Sequence, residues 1–173
     1  MNQLKDINRN PGFTLIEALV AILVFTSALI IFGTMLSRGL SSIANARAEL
    51  RAYLFAEEGI EAVHQVRDTN RNGGNDWFDT INQCSTAQGC MVTSLEPEVV
   101  LTPCPSNGCT VIGDTGNLFD QSGAGTSTGF TRSIVIDRAL GVSNEATITA
   151  AVSWIDNVGR ERTTSVQAVI RDW

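Results

Sequence analysis

The first third of the chain contains a long apolar run with a single acidic residue at its start. Residues 18–36 are 19 positions without a formal charge, and Glu17 stands directly before them. A helix of this length extends about 28 Å, which is close to the hydrocarbon thickness of a bilayer. The pattern therefore predicts a membrane-spanning helix with a carboxylate at one end.

The helical pattern continues beyond the apolar run, with apolar residues restricted to one face. No proline interrupts residues 13–67, and the apolar positions of the second half recur at steps of three and four: Phe55, Ala56, Gly59, Ile60, Val63 and Val66. This spacing is typical of an amphipathic helix that packs on a globular domain. One long helix is therefore predicted from Phe13 to about Arg67, with a change of environment near residues 38–42.

Three segments near the end of the chain alternate between apolar and polar positions. The apolar positions are Ile134 and Ile136 in the first segment, Ala146, Ile148, Ala150, Val152 and Trp154 in the second, and Val166, Ala168 and Ile170 in the third. Residues 156–159 supply turn chemistry between the last two segments. The pattern predicts an antiparallel meander with one buried face, and the amphipathic helix half is the natural cover for that face.

The predicted fold class is therefore α+β. A long N-terminal helix, with a transmembrane half and an amphipathic half, packs on a C-terminal antiparallel sheet of three or four strands, and an irregular region contains the cysteines. The predicted boundaries are a polar leader at 1–12, the transmembrane half at 13–38, the amphipathic half at 39–67, the irregular region at 68–129 and the sheet at 130–173.

The four cysteines lie in the irregular region as two pairs that are close in sequence. Cys84 and Cys90 form one pair, and Cys104 and Cys109 form the other, with the turn sequence Pro-Ser-Asn-Gly inside it. Local disulfides are favoured over the two other connectivities. A zinc site is the competing interpretation, but the spacing lacks Cys-x-x-Cys. Disulfides also agree with an oxidising compartment.

A second group of residues has the spacing of a calcium loop. Oxygen-bearing side chains occupy positions one, three, five, nine and twelve of the segment, with Gly73 at position six: Asp68, Asn70, Asn72, Asp76 and Asp79. This is the arrangement of an EF-hand loop, except that Asp replaces the usual final Glu. The alternative is an ordinary helix end that runs into an Asn/Gly loop. No other cofactor is predicted.

Charge and composition exclude several other functions. The formal net charge is −6, which argues against broad nucleic-acid binding through phosphates. His64 is the only histidine, and no Ser, His and Asp grouping or phosphate-binding Gly-Lys-Ser/Thr loop is present. The sequence therefore predicts a protein that is not an enzyme.

The residues around Gly12 resemble the N-terminus of type IV prepilins and of the pseudopilins of type II secretion systems. In that family a short leader ends in Gly, Phe commonly follows, and Glu stands five residues into the mature chain. Gly12, Phe13 and Glu17 match these positions, and Lys5 and Arg9 lie in the leader. Residues 56–63 also resemble helix sequence common among minor pilin-like proteins.

The resemblance implies a processing and assembly scheme. Prepilin peptidase would cut between Gly12 and Phe13 and methylate the new amine of Phe13, and Glu17 would pair with that amine on a neighbouring subunit. The implied partners are other pilin or pseudopilin subunits, the peptidase, the inner-membrane assembly machinery and the lipid bilayer. The chain would lie in the inner (cytoplasmic) membrane as a single-pass protein with its C-terminus outside, and then in an extracellular or periplasmic filament, or fimbrium.

One departure from the family pattern bears on the type of subunit. Many major pilins have a helix-disrupting Pro in the apolar half, and the matching position here is Thr34. This difference favours a minor pilin or a pseudopilin, and the sequence does not choose between them. An alternative of another class is a single-span, membrane-anchored extracytoplasmic binding module whose match at Gly12 and Phe13 is accidental.

Overall fold

The computed structural model describes residues 12–94, 98–116, 119–138 and 144–172 and has an α+β fold. Helix α1 spans Leu15–Asn72, and a short 3-10 helix spans Asn82–Cys84. Seven strands follow: β1 Cys90–Ser94, β2 Val100–Pro103, β3 Val111–Asp114, β4 Phe119–Asp120, β5 Thr126–Asp137, β6 Glu145–Ile155 and β7 Glu161–Arg171. The chain divides into two units, Met1–Ile43 and Ala44–Trp173, and the second contains the whole sheet.

Strand β5 is the centre of a seven-stranded antiparallel sheet. One of its edges pairs with β6, from Phe130 opposite Trp154 to Asp137 opposite Thr147, and β6 pairs with β7. Its other edge pairs with β3 and β1, which add β4 and β2 respectively. The fold class is confirmed, but the sheet has seven strands rather than three or four. The additional strands have two to five residues, too few for alternation to be recognised in the sequence.

The hydrophobic core of the second unit lies between the later part of α1 and the inner face of the sheet. Helix residues Phe55, Ala56, Ile60 and Val63 meet sheet residues that include Ile134, Ile136, Ile148, Val152 and Ile170. All six apolar positions that the helical spacing singled out are buried. The burial of alternate residues in β6, from Ala146 to Val152, likewise confirms the predicted period of two.

A buried arginine connects the helix to the sheet. Arg132 on β5 is completely buried, and its Nη1 donates to the carbonyl oxygen of Phe55 at 2.9 Å and lies 3.8 Å from a carboxylate oxygen of Glu58. Its Nε donates to Oε1 of Gln121 at 3.4 Å. Burial lowers the pKa of the Arg132 guanidinium and raises the pKa of Glu58, and the opposite charges only partly offset these shifts.

Helix α1 ends at Asn72, beyond the end near Arg67 that the sequence predicted. The additional turn is stabilised by Asn70, which is buried. Its amide donates to the Trp77 carbonyl at 3.2 Å and to Thr80 Oγ1 at 3.1 Å. These contacts hold the last turn in place against the weak helix propensity of its Asn and Asp residues. Gly74, with a φ of 74°, follows the helix end, where a left-handed residue is common.

The cysteines form the two local disulfides that the sequence favoured. Cys84 is bonded to Cys90, and Cys104 to Cys109, with sequence separations of 6 and 5. The first bond joins the 3-10 helix to the start of β1, and both of its cysteines are completely buried. The second closes a turn after β2, where Cys109 is only half-buried.

Removing the Cys84–Cys90 bond is expected to destabilise the second unit more than removing the Cys104–Cys109 bond. The two loops are almost equal in length, so the loop-entropy contributions should be similar. Replacing the first pair by Ala additionally leaves unfilled space in the core. Thermal unfolding of the two double-Ala variants checks this order, and a lower melting temperature for the Cys104/Cys109 variant would contradict it.

The hairpin between β6 and β7 is organised by the carboxylate of Asp156, at the turn that the sequence predicted. One oxygen accepts from the backbone N–H groups of Val158 (3.0 Å) and Arg160 (2.9 Å). The other accepts from the side chains of Arg160 (3.2 Å) and Arg162 (3.1 Å). The backbone N–H of Arg160 is the largest cause of a pKa that is lowered to about 2, despite opposing desolvation.

Asp156 should therefore make the hairpin sensitive to acid. A carboxyl group whose folded pKa is lowered stabilises the fold above its unfolded pKa of 3.8, and this contribution is lost as the pH falls through about 2. We expect Asp156→Asn to lower the melting temperature at pH 7 and to have little effect at pH 2. Thermal unfolding at both pH values measures the difference, and an equal loss at both would contradict the assignment.

Candidate processing and assembly site

The first helical turn is capped by a threonine that directly precedes it. Thr14 Oγ1 accepts a hydrogen bond from the backbone N–H of Glu17 at 3.3 Å, and the Thr14 carbonyl accepts from Ala18 N–H at 3.2 Å. A Thr followed three residues later by Glu is the sequence of a capping box. Thr14 was not among the predicted site residues, although its capping-box spacing to Glu17 is present in the sequence.

Glu17 is placed at the N-terminal end of the helix. Glu17 lies in the first turn of α1, where the partial positive charge of the helix N-terminus favours a carboxylate. It is the only acidic residue between positions 13 and 48. In apolar surroundings such a carboxylate requires a cationic partner, because an isolated buried charge is strongly unfavourable.

The two residues of the predicted cleavage bond precede the helix. Gly12 and Phe13 are outside α1, the Phe13 side chain is 80% exposed, and no atom lies within 4 Å of a Cβ placed on Gly12. A peptide bond outside a helix is more accessible to a peptidase than one inside it. Lys5 and Arg9 of the predicted leader lie outside the described residues.

The first unit presents an apolar helix whose side chains are all exposed. Helix α1 is long and apolar enough in this part to cross a membrane, and none of its most apolar window is buried. The hydroxyls of Thr26, Ser27 and Thr34 donate to helix carbonyls at Ile22, Val24 and Ile31, at 2.8 to 2.9 Å. These bonds satisfy the polar side chains locally, which lowers the cost of placing them in lipid.

The position that matches the family's proline is helical in this chain. Thr34 and its neighbours Gly33 and Gly39 all lie within α1. The two glycines weaken the helix intrinsically, but each retains its backbone N–H, unlike proline. Helix α1 is therefore continuous through Thr34.

Several residues of the predicted calcium loop lie in the helix or bond to neighbouring groups of the protein. Asp68, Asn70 and Asn72 lie on the last turns of α1 rather than in a loop, and Asp68 forms an ion pair with Arg67 at 2.7 Å. Asp76 Oδ1 accepts from the backbone N–H of Phe78 at 2.8 Å. Among the described residues, no group of three or more His, Cys, Asp or Glu side chains is placed to hold a metal ion.

Comparison with known proteins identifies the N-terminal segment. Residues 7–36 match the model of the prokaryotic N-terminal methylation motif. The chain carries the prepilin signature. This motif is the shared mark of type IV pilins and pseudopilins. No curated protein and no solved structure matches the chain.

The matched motif covers the N-terminal segment and no more of the chain. The family consists of structural pilin-type subunits and not of enzymes. A methylation motif together with an exposed apolar helix indicates membrane anchoring and a pilus-like filament. The matched segment covers Gly12, Phe13 and Glu17, and it ends at Leu36, the last residue of the apolar run.

Proposed function

We propose that this chain is a structural subunit of a type IV pilus or pilus-like filament, and that it is a minor pilin. The methylation motif carries the proposal, because it includes the first part of α1, which is apolar on all sides and exposed up to Leu36. Such a helix requires either lipid or a bundle of similar helices. The membrane and the filament core supply these two environments in turn.

Processing creates the group that Glu17 needs. Cleavage between Gly12 and Phe13 gives Phe13 a positive amine, which is then methylated, and it removes one net positive charge with the leader. In low dielectric, the Glu17 carboxylate of one subunit and the Phe13 amine of a neighbour attract strongly and neutralise each other. Extraction from the bilayer becomes tolerable because the apolar surface moves from lipid to protein and is not exposed to water.

Each step of processing and assembly involves a different partner. Prepilin peptidase acts on Gly12 and Phe13 at the cytoplasmic face of the inner membrane, and the assembly machinery and other pilin subunits act on the processed helix. The second unit lies outside the membrane, where its two disulfides are stable. A pseudopilin of a secretion system would use the same chemistry, and neighbouring genes separate the two roles.

Mass spectrometry of the purified membrane form tests the proposal. In cells with the peptidase, we expect a chain that begins at a methylated Phe13, and in cells without it we expect an intact leader. An intact leader and an unmethylated chain in both strains would contradict the proposal. That result would favour the single-span binding module, whose function does not require cleavage.

A further inference from the structure

Strand β7 is a long outer strand of the sheet, and it is contacted by α1 at one end, where Arg67 Nη1 donates to the Arg171 carbonyl at 3.5 Å. Within the described residues β6 is the only strand that pairs with it, over all eleven residues from Glu161 to Arg171. The other described outer strands are poor templates for pairing, since β2 has four residues and ends at Pro103, and β4 has two. Among the described outer strands, β7 therefore offers the longest edge for pairing with another strand.

The ladder between β6 and β7 shows which backbone groups point outwards. Asp172 N–H donates to the Asn144 carbonyl at 2.9 Å, one step beyond the Glu145–Arg171 pair. Hydrogen-bonded and non-hydrogen-bonded pairs alternate along an antiparallel ladder. The even-numbered residues of β7 therefore bond to β6, and the N–H and C=O groups of the odd-numbered residues point away from the sheet: Thr163, Ser165, Gln167 and Val169.

The part of β7 that carries these outward backbone groups, called the outward row below, lacks the features that usually prevent strand addition. Residues 163–170 contain no charged residue, no Pro and no Gly, and the register with β6 has no bulge. The side chains of the four odd-numbered residues are exposed. Natural proteins commonly protect an exposed edge with Lys, Pro, a bulge or a covering segment. The composition of β7 is instead typical of a strand that is paired on both sides.

We propose that β7 is a docking edge to which an extended strand of another subunit adds in the antiparallel direction. This inference rests on the proposed function, because a filament places other subunits beside this one. Only an extended backbone matches a straight row of alternating donors and acceptors. Antiparallel addition is the more stable arrangement per residue.

The charged residues at the two ends of β7 indicate which charges the added strand should carry. Glu161 and Arg171 lie on the exposed side of β7, at opposite ends of an uncharged centre. The complementary strand carries a basic residue opposite Glu161 and an acidic residue opposite Arg171, with uncharged β-forming residues between them. Arg171 Nε also contacts Glu145 at 2.7 Å, so that the acidic residue of the partner joins an existing ion pair.

A peptide with the sequence of β7 itself meets these requirements and serves as the probe. When it pairs antiparallel in full overlap, its Arg lies opposite Glu161 and its Glu lies opposite Arg171. The labelled peptide is titrated with the full-length chain in detergent micelles, and fluorescence anisotropy reports binding. We expect saturable binding below about 1 mM. Its absence would overturn the proposal.

A second peptide tests whether binding uses the backbone. It has the same side chains but carries N-methyl groups on the two amides equivalent to Ser165 and Gln167, which face β7 in the proposed register. Loss of two hydrogen bonds and the added methyl groups should weaken binding at least about tenfold. Equal affinity of the two peptides would overturn strand addition.

Two variants at Gln167 test the same point on the protein. Gln167→Pro removes an outward N–H, and Gln167→Ala retains it, while both remove the side-chain hydrogen bond to Thr149 Oγ1. Pro is tolerated on an edge strand where its N–H would face solvent. We expect the Pro variant to bind the unmodified peptide about tenfold more weakly than the Ala variant. Equal binding would overturn the proposal, and if the Pro variant is unfolded by circular dichroism, the peptide comparison on the unmodified chain decides.

Incorporation in cells separates this inference from the proposed function. Gln167→Pro should enter filaments less than Gln167→Ala, although both chains begin at a methylated Phe13. Equal incorporation would overturn the docking edge and leave the processing scheme intact. An uncleaved leader would instead contradict the processing scheme, and peptide binding to the purified chain does not depend on cleavage.

Discussion

Replacing Glu17 by Gln is expected to reduce incorporation of this chain into filaments about a hundredfold or more. The change removes the only acidic group between positions 13 and 48 and leaves the Phe13 amine of a neighbouring subunit without its counter-charge. Breaking one partner of a desolvated ion pair costs roughly 3–5 kcal/mol, because the remaining charge stays in apolar surroundings. The measurement is the ratio of this chain in sheared filaments to that in the membrane fraction, by quantitative immunoblot.

Glu61→Gln is the matched control for this prediction. Glu61 is exposed on the same helix, in the second unit, so its substitution makes the same change of charge away from the N-terminus. We expect it to enter filaments like the unmodified chain, and we expect both variants to retain cleavage after Gly12. Filament levels of Glu17→Gln equal to those of Glu61→Gln would contradict the proposed role of Glu17.

Replacing Gly59 by Leu is expected to destabilise the second unit by about 2–4 kcal/mol. A Cβ at position 59 would lie 2.9 Å from Cδ of Arg132 and 3.2 Å from Cδ1 of Ile134. Arg132 is completely buried, and its guanidinium is held by the Phe55 carbonyl and by Gln121. A larger side chain therefore displaces the guanidinium from the Phe55 carbonyl and from Glu58, and thermal unfolding of the full-length chain in detergent measures the cost.

Gly39→Leu is the corresponding control. Gly39 is also a helical residue of α1, but no atom lies within 4 Å of a Cβ placed there. Leu has a higher helix propensity than Gly, so this variant should be as stable as the unmodified chain or slightly more stable. A similar loss of stability in both variants would show that the effect comes from the helix backbone and not from contact with Arg132.

The calcium loop illustrates how a local pattern can suggest the wrong structural context. The oxygen-bearing residues at 68–79 have the spacing of a metal loop, and Asn and Asp also favour loops. The structure extends the helix through Asn72, and the Asn70 side chain bonds to Trp77 and Thr80, 7 and 10 residues further along the chain, instead of facing a metal site. A calorimetric titration of the full-length chain with calcium remains the direct test of the loop.

The buried polar cluster was not predicted from the sequence. In sequence, Arg132 is in phase with Ile134 and Ile136, so the alternation of the strand places it on the inward face, but no local signal identifies the groups that contact its guanidinium. Its burial depends on Gly59 from the helix and on Gln121 from the loop before β5, which donates to the Arg132 carbonyl at 2.8 Å. These three residues are far apart in sequence, so only the packed structure brings them together.

The sequence alone determined the N-terminal signature, the long helix with its two environments, the three long strands and the α+β class. These features depend on periodicity and on one short motif, which are local properties of the chain. The tertiary structure decided the additional short strands, the true end of α1, the buried Arg132 and the outward backbone groups of β7. These features depend on hydrogen bonds and packing contacts that exist only in the folded chain, and a periodic pattern in the sequence does not specify them.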